Sequence, residues 1–300
     1  MGSDAALDPR LNAYLPELAD VRLRGRVEAR TFAEGSLKQV RVGVAPLKRM
    51  PASEAPLESQ MQRGETVRAF GETANGWCFC QSETDGYVGF VPGEALDDRL
   101  VPPTHRVTAL RTFLYPVPDL KVPARDTLPI GSLVAVEGEM RTRGTPYGLL
   151  AGSEGAIVMA HLEPVAAPLP EDHVSVAERF VETPYLWGGR TSLGADCSGF
   201  VQLVLGLTGR KALRDTDLLA AHLGDPVDGG LEGDLRRGDV VIWKGHALII
   251  RDAGTVIHSS GQHMRVVIEP SSEAFRRLLA AVGQPLAVRR PGPPEPPATT

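Results

Sequence analysis

Residues 184–202 read PYLWGGRTSLGADCSGFVQ, a glycine-rich approach to a cysteine that runs into an apolar stretch. Phe200, Val204 and Leu207 recur at the spacing of one helix face, which predicts a buried helix beginning near Cys197. A cysteine at a helix N-terminus lies beside unpaired backbone N–H groups and the positive end of the helix dipole. Both effects favour the thiolate, the form that attacks acyl carbons. Cys197 is therefore the candidate nucleophile, although a lone cysteine at a helix start is more often inert.

Two histidines supply the base that such a nucleophile needs. His246 opens a predicted strand in GHALII, and His258 follows twelve residues later in TVIHSS. In an antiparallel hairpin the two strands lie side by side, so His258 can orient His246 as the third member of a triad does. Either histidine alone is more often structural, but together with Cys197 in one domain they predict a nucleophile, a base and an orienting residue.

The chain before this region is β-like and weakly repetitive. RGETVRAFGE (63–72) is echoed by IGSLVAVEGE (130–139), and DGYVGFVPGEAL (85–96) by EGAIVMAHLEP (154–164). Two small β modules, of so few strands that barrels are expected, explain the repeat. The predicted divisions are a leader able to form a short helix (1–28), two β modules (29–98 and 99–165), a catalytic domain (166–290) and a disordered Pro-rich tail (291–300).

The catalytic domain begins with helical segments, HVSVAERFVE (173–182) and TDLLAAHLG, the latter capped by Asp215. The β runs DVVIW, HALIIRD, TVIHSS and MRVVIEP follow, and an amphipathic helix is predicted over 271–282. This order predicts an α+β domain. Glu269, after an apolar run, reads as a solvated strand end, and His263 should face away from His258.

Charge, cysteine count and the N-terminus limit the other classes of function. A net charge of −5 argues against nucleic acid and gives no reason to expect a membrane partner. The N-terminus lacks signal-peptide features, so a cytoplasmic location is expected. Three cysteines favour free thiols, with Cys78 and Cys80 packed on one face of a strand. No clustered ligand motif is present, so neither a metal nor a cofactor is expected.

These landmarks together resemble the NlpC/p60 family of papain-like cysteine peptidases. PYLWGGRTSLGADCSGFVQ, GDVVIWKGHALII and VIHSS occur in the family's order within about 120 residues, 170–290. The β modules are similar to the bacterial SH3-type domains that often precede such a peptidase. The resemblance implies that Cys197 is the nucleophile, His246 the base and His258 the orienting residue. It also implies that Tyr185 adds a hydrogen bond beside the nucleophile, against the alternative that Tyr185 packs on Trp187.

The arrangement with two SH3-like domains resembles γ-D-glutamyl-L-diamino acid endopeptidases. The resemblance implies cleavage of murein stem peptides, L-Ala-γ-D-Glu-diamino acid, with a free N-terminal L-Ala, in cell-wall peptide recycling. Asp196, Ser198 and Thr216 then correspond to residues that hold the substrate's ammonium group. RDTDLLA (214–220) departs from the family segment because Leu219 or Ala220 stands where a Gln is common.

The first β module is expected to add residues to the same site. Tyr87 resembles an aromatic that this module contributes, and an acidic residue of its long loop, Glu54 or Glu58, is also expected; the sequence does not choose between them. Two other classes of function stay open. One is a cell-wall peptide-binding protein with an inactive peptidase domain, and the other is a papain-like acyltransferase or amidase.

Overall fold

The computed structural model describes residues 7–294. The chain divides into two compact units, and the division lies between Ala166 and Ala167. Each unit has hydrophobic clusters of its own. The first six residues of the expected leader and the part of the expected tail after residue 294 lie outside the described residues.

The first unit is built from short strands, as its frequent turn residues predict. Its strands are β1 (Leu18–Asp20), β2 (Thr31–Ala33), β3 (Ser36–Val40), β4 (Val44–Lys48), β5 (Leu57–Gln62), β6 (Thr66–Glu72), β7 (Trp77–Ser82), β8 (Val88–Pro92), β9 (Leu96–Asp97), β10 (His105–Val107), β11 (Arg111–Leu114), β12 (Asp126–Pro129), β13 (Leu133–Val134), β14 (Val136–Thr142), β15 (Thr145–Leu150), β16 (Ala156–Val158) and β17 (Leu162–Pro164). Its helical segments are the 3-10 turns Val21–Leu23, Gly93–Ala95, Ala151–Ser153 and Met159–His161.

Seven of these strands form one antiparallel sheet in the order β5-β4-β8-β7-β6-β3-β9. Cys78 and Cys80 lie in β7 and are buried in the hydrophobic cluster of this sheet. Alternate residues of a strand point to the same face. The prediction that the two cysteines pack together in a β core is therefore confirmed, and both are free thiols.

The second half of this unit has smaller sheets, in the orders β13-β10-β17, β11-β12 and β14-β15-β16. The sequence repeat has a structural counterpart here. A strand, a 3-10 turn and a strand follow one another as β8, Gly93–Ala95 and β9, and again as β16, Met159–His161 and β17. The pairings within the described residues are those of open sheets, so barrel closure stays a prediction.

From residue 7 onward the N-terminal segment is packed, which differs from the leader expected over 1–28. β1 pairs with β2 in parallel, and Ala13 is 1% exposed in a cluster with Phe70, Phe79 and Phe90. The apolar residues of this segment have a surface to bury because these aromatic rings lie on the seven-stranded sheet. A 3-10 turn, Val21–Leu23, stands where a short helix was expected.

The second unit combines helices with an antiparallel sheet, and the predicted α+β class is confirmed. Its elements are α1 (His173–Glu178), β18 (Arg190–Thr191), β19 (Gly194–Ala195), α2 (Cys197–Gly206), α3 (Thr216–His222), β20 (Asp225–Pro226), the 3-10 turn Gly230–Glu232, β21 (Val240–Trp243), β22 (His246–Ile250), β23 (Thr255–Ser260), β24 (Arg265–Pro270), α4 (Ser271–Val282) and β25 (Ala287–Arg290).

The large sheet of this unit has the order β20-β25-β21-β22-β23-β24, with every pairing antiparallel. The helix α2 packs against β22 and β23, and α4 packs against β23 and β24. Residues 197–205 of α2 are all buried, as a helix that is apolar on every side should be. Within residues 7–294, no helix is both long enough and apolar enough to cross a bilayer.

Candidate active site

Cys197 is the first residue of α2, and its predicted position at a helix start is confirmed. Asp196 is the N-cap residue, and its Oδ1 accepts a hydrogen bond from the N–H of Gly199 at 2.7 Å. The N–H of Gly188 donates to Oδ2 of the same carboxylate at 2.9 Å. A side chain at Gly199 would collide with the carbonyl oxygen of Gly189, so the glycine-rich approach packs closely against the helix start.

The thiol of Cys197 lies beside the beginning of β22. Its Sγ donates to the carbonyl oxygen of Gly245 at 3.6 Å, and the backbone N–H of Ala247 also lies close enough to act on it. Gly245 and Ala247 flank His246. The two-residue turn between β21 and β22 ends at Gly245, whose φ of 80° favours glycine. The structure therefore brings the predicted nucleophile to the residues on either side of the predicted base.

Burial decides the resting protonation state of the thiol. Loss of water raises the pKa of Cys197 to about 12, and the negative charge of Asp196 acts in the same direction. The N–H of Ala247 in β22 and the N–H of Ser198 at the helix N-terminus lower it, the latter as predicted, but they do not offset the burial. The predicted effect of the helix start is therefore present, but burial has the larger effect on the pKa of Cys197.

His246 and His258 are in direct contact, as the hairpin pattern predicts. Nε2 of His246 lies 2.7 Å from Nδ1 of His258, and the two rings are nearly perpendicular, at 87°. Burial, together with the neighbouring His258, lowers the pKa of His246 to about 3. His246 is therefore neutral at physiological pH and can accept a proton. Its Nδ1 is the ring nitrogen that the contact with His258 leaves available.

The hydrogen-bonded chain continues beyond the predicted triad to Glu269 and Arg277. Nε2 of His258 lies 2.6 Å from Oε1 of Glu269, and the guanidinium of Arg277 in α4 donates to both carboxylate oxygens, at 2.8 and 2.5 Å. The prediction of a solvated strand end at Glu269 is wrong, because its side chain is only 10% exposed. A sequence signal existed. In the hairpin of β23 and β24, Val256 pairs with Glu269 and His258 pairs with Val267, which places Glu269 diagonally from His258 on one face.

A buried ion pair holds the residue before the nucleophile. Arg214 donates from Nη1 to Asp196 Oδ1 at 3.0 Å, from Nη2 to Oδ2 at 2.6 Å, and from Nη1 to Ser198 Oγ at 2.9 Å. The side chains of Arg214 and Asp196 are 1% and 10% exposed. Arg214 lies in the segment RDTDLLA, but no role was predicted for it from the sequence. A buried carboxylate nevertheless needs a cation nearby. Asp196 and Ser198 thus have a structural role beside the ammonium binding predicted for them.

Tyr185 is half-buried, and its ring lies against Gly261, where an added Cβ would meet ring carbons at 3.6 and 3.7 Å. Its N–H donates to the carbonyl of Met264 at 2.9 Å. Trp187 is 68% exposed, so the alternative role of Tyr185 as its packing partner gains no support. Burial, and then the charge of an ionised Cys197, raise the pKa of Tyr185. The hydroxyl therefore stays protonated and can donate.

Thr216, the first residue of α3, is tied to the hairpin turn beside the thiol. The N–H of Gly245 donates to Thr216 Oγ1 at 3.1 Å, and the carbonyl of Gly245 accepts from Cys197. Asp215 occupies the N-cap position of α3 as predicted, but its side chain makes no capping hydrogen bond. Gly245 alone therefore links Thr216 to the candidate nucleophile through hydrogen bonds.

Tyr87 and Glu58 are the predicted substrate-binding residues of the first unit. Tyr87 lies in the core of this unit, whereas Glu58 lies in a strand. Tyr87 is 2% exposed and belongs to the hydrophobic cluster of the seven-stranded sheet. Glu58 lies in β5, not in the loop, and pairs with Arg49 at 3.1 Å. Glu54 lies in the loop before β5 and is exposed. Roles for these residues in binding substrate stay predictions.

The remaining histidines lie outside the hydrogen-bonded chain. Nδ1 of His263 lies 2.9 Å from Ser260 Oγ, in the turn between β23 and β24, so strand alternation does not apply to it. His222 is exposed at the end of α3, as predicted. Among the described residues, no group of three or more His, Cys, Asp or Glu side chains has the arrangement of a metal site.

Two protein families match this chain. Residues 182–281 match the NlpC/P60 family, and this range holds Cys197, His246, His258 and Glu269. Residues 47–96 match the bacterial dipeptidyl-peptidase Sh3 domain. The predicted resemblance to both types of domain is thus confirmed.

Curated relatives are similar at low identity. The chain is 24% identical over 226 residues to dipeptidyl-peptidase 6 of Lysinibacillus sphaericus. This match covers 70% of this chain and 82% of that protein. It is 33% identical over 122 residues to γ-D-glutamyl-L-lysine dipeptidyl-peptidase of Bacillus subtilis, which covers 37% of this chain and 40% of that protein. The second match therefore spans well under two thirds of the relative's length.

The fold has a counterpart among solved structures. The crystal structure of an NlpC/P60 family protein from Bacillus cereus superposes with a TM-score of 0.69 at 20% identity, over 85% of this chain and 99% of that one. At this identity the likeness concerns the fold. The chain therefore carries an NlpC/P60 domain over residues 182–281 and, earlier in the sequence, a bacterial dipeptidyl-peptidase SH3 domain over residues 47–96.

Proposed function

We propose that this chain is a cysteine peptidase that hydrolyses the bond between γ-D-Glu and the diamino acid in murein stem peptides with a free N-terminal L-Ala. One observation carries the catalytic part. The thiol of Cys197 lies at the backbone on both sides of His246, whose ring contacts His258 at 2.7 Å. A nucleophile close to a base, and a base held by an orienting group, are the parts that acyl transfer through a thiol requires.

The reaction proceeds in two half-reactions. Nδ1 of His246 takes the thiol proton as Sγ of Cys197 bonds to the γ-carbonyl carbon of D-Glu, and the carbonyl oxygen becomes an oxyanion. The oxyanion collapses, the C–N bond breaks, and the amine leaves with the proton from His246. Water then attacks the thioester and gives a proton to His246. The C–S bond breaks, the proton returns to Sγ, and the dipeptide L-Ala-D-Glu is released with a free γ-carboxyl group.

The resting charge state favours proton transfer during the attack. The pKa of Cys197 lies near 12 and that of His246 near 3, so the resting pair is thiol and neutral imidazole. The developing oxyanion needs donors that are already in place. The N–H of Cys197, at the first position of α2, has no partner inside the helix, and the protonated hydroxyl of Tyr185 is the second candidate donor.

The substrate part of the proposal is supported by the relatives and by the chemistry at the helix start. The two relatives described above are both named dipeptidyl-peptidases, and the name of the one from Bacillus subtilis specifies γ-D-glutamyl-L-lysine. Asp196, Ser198 and Thr216 supply a carboxylate and hydroxyls next to Cys197, which suits an ammonium group. Recycling of wall peptides in the cytoplasm is the setting that we infer for this activity.

Mass spectrometry of the protein incubated with L-Ala-γ-D-Glu-diaminopimelate tests the proposal. We expect release of L-Ala-D-Glu, no release from the N-acetylated peptide, and no release by Cys197→Ala or His246→Ala. His222→Ala, which changes an exposed histidine of the same unit, is the matched control and should stay active. Cleavage of both peptides would keep the peptidase but remove the ammonium requirement.

The same experiment separates the two alternatives. A folded protein with an alkylatable Cys197 that cleaves neither peptide contradicts the peptidase. Adding an amine or a second acceptor to that reaction, and looking for a new acyl product, identifies an acyltransferase. Binding of the peptide by calorimetry, unchanged in Cys197→Ala and without any product, identifies the binding protein.

A further inference from the structure

The chain of hydrogen bonds from the candidate base does not end at His258. It crosses the hairpin of β23 and β24 to Glu269 on the edge strand of the sheet, and from there reaches Arg277 in α4. The side chain of His258 is 1% exposed, that of Glu269 10% and that of Arg277 26%, so this series of hydrogen bonds runs from the interior towards the surface. Nothing in the reaction described above uses this carboxylate.

The donors and acceptors along this chain permit one arrangement of protons when Glu269 is ionised. A carboxylate only accepts hydrogen bonds, so Nε2 of His258 must carry the proton that meets Oε1 at 2.6 Å. Neutral His258 then has a bare Nδ1, which accepts from Nε2–H of His246 at 2.7 Å. Nδ1 of His246 is therefore bare, and a bare nitrogen is what the thiol proton requires.

Arg277 holds Glu269 in the ionised state. Burial by itself would raise the pKa of this carboxyl, but hydrogen bonds from Arg277 and His258 outweigh it, and the pKa lies well below its usual value. Both oxygens of Glu269 accept from the guanidinium. The carboxylate thus stays an acceptor across the physiological pH range.

We propose that Glu269 is a positioning residue that acts through His258 to keep the bare nitrogen of His246 towards the thiol, and that Arg277 keeps Glu269 in that role. The proposal rests on the proposed function, because it assigns His246 as the base. Glu269 touches neither the substrate nor the reacting atoms. It acts on the reaction through two imidazole rings.

A purely structural role for the same contacts is the competing account, since Glu269 and Arg277 also join β24 to α4. The two accounts differ in what Glu269→Ala does. In the structural account the variant loses stability, and its proton positions do not change. In the positioning account Arg277, which can only donate, is left beside His258. The guanidinium of Arg277 then favours His258 with a bare Nε2 and a proton on Nδ1. That Nδ1–H donates to Nε2 of His246, so the proton of His246 moves to its own Nδ1. A protonated Nδ1 cannot accept the thiol proton.

The charge of Glu269 also affects the pH dependence. The charged and titratable groups around His258 are His246 from β22, Glu269 from β24, Arg277 from α4 and His263 from the turn after β23. Of these, Glu269 favours the protonated imidazole, while Arg277 and His263 oppose it. Glu269 also raises the pKa of the base His246, so removing the carboxylate should move the acid limb of kcat to lower pH. This shift follows from the charge alone, so the histidine tautomers are the readout that separates the two accounts.

The variants are Glu269→Ala, Glu269→Gln and the double variant Glu269→Ala/Arg277→Met, with Glu178→Gln as the matched control. Glu178 forms an ion pair with Arg251 at 2.7 Å in the same unit, away from the hydrogen-bonded chain. Glutamine keeps an oxygen that can accept from His258 but loses the charge. The readouts are kcat and KM with the stem peptide, and the histidine tautomers from two-bond 15N–1H correlation spectra, which need no substrate.

We expect kcat of Glu269→Ala to fall about 10- to 100-fold with KM changed less than about threefold, a smaller loss than the roughly 10²–10⁴ that a general base supplies. Glu269→Gln should keep the tautomer and lie between the wild type and the alanine variant. The double variant should recover about tenfold of the loss, because the misplaced donor is gone. Glu178→Gln should match the wild type.

An unchanged His246 tautomer in Glu269→Ala overturns the proposal, even if activity falls. Equal loss in Glu269→Ala and in the double variant also overturns it. If the wild type cleaves no stem peptide but the His246 proton moves to Nδ1 in Glu269→Ala, the proposed function fails and the positioning role stands. The spectra and the turnover assay therefore distinguish the two failures.

Discussion

Replacing Arg214 with Met tests how the residue before the nucleophile is held. The Arg214 side chain is 1% exposed, and its guanidinium donates two hydrogen bonds to Asp196 and one to Ser198. Methionine fills a similar volume without the charge. The carboxylate of Asp196 would then be left in the interior with its two backbone donors, the N–H groups of Gly188 and Gly199.

The expected loss follows from that imbalance. Removing one partner of a buried ion pair costs about 3–5 kcal/mol, because the other charge stays buried and unpaired. The two remaining N–H donors place this case at the low end, about 3 kcal/mol. Asp196→Asn/Arg214→Met removes both charges, and asparagine keeps the capping acceptor for Gly199. We expect the double variant to lose only about 1–2 kcal/mol.

Urea unfolding followed by tryptophan fluorescence measures these differences. Trp243 is fully buried in the core of the second unit and reports on that unit. Trp77 lies in the first unit, so all proteins carry Trp77→Phe to keep the signal to one unit. Arg251→Met is the matched control. This arginine is 33% exposed and pairs with Glu178, and exposed pairs contribute about 0–1 kcal/mol.

Two results would refute the reasoning. A loss below about 1 kcal/mol for Arg214→Met would mean that water reaches Asp196 and that the pair is not buried in solution. A double variant as unstable as Arg214→Met would mean that the cost comes from lost packing and not from the uncompensated carboxylate.

Three further predictions concern the same site. The rate of alkylation of Cys197 by iodoacetamide should rise about tenfold per pH unit from pH 6 to 9, because a thiol whose pKa is about 12 gains thiolate throughout this range. A plateau in that rate would indicate a preformed thiolate–imidazolium pair. Thr216→Val removes the acceptor for the N–H of Gly245 and should lower kcat/KM about fivefold, the equivalent of one hydrogen bond of ~1 kcal/mol; unchanged kinetics would deny Thr216 that role. Gly199→Ala should lower the free energy of unfolding by about 1–3 kcal/mol and abolish turnover, because the new Cβ collides with the carbonyl of Gly189; normal stability in urea would contradict the close packing seen here.

The local sequence was enough to predict the candidate nucleophile, base and orienting residue that the structure brings close to one another. Cys197 stands where a glycine-rich loop meets an apolar helix, and both features are readable within about twenty residues. His246 and His258 lie on adjacent strands of a short hairpin, so a separation of twelve residues was enough to predict their contact. The α+β class followed from the same short-range periodicity.

The tertiary structure decided the electrostatics of the site. Arg214 lies eighteen residues from Asp196, and Arg277 reaches Glu269 from a separate helix, so neither pairing is a local pattern. Burial outweighs the helix-start donors that favour the thiolate of Cys197, because a pKa depends on how much water the fold removes and on which charges it brings close. Residue identity and spacing state which groups can react, whereas their charge state in the folded protein depends on packing between segments far apart in the chain.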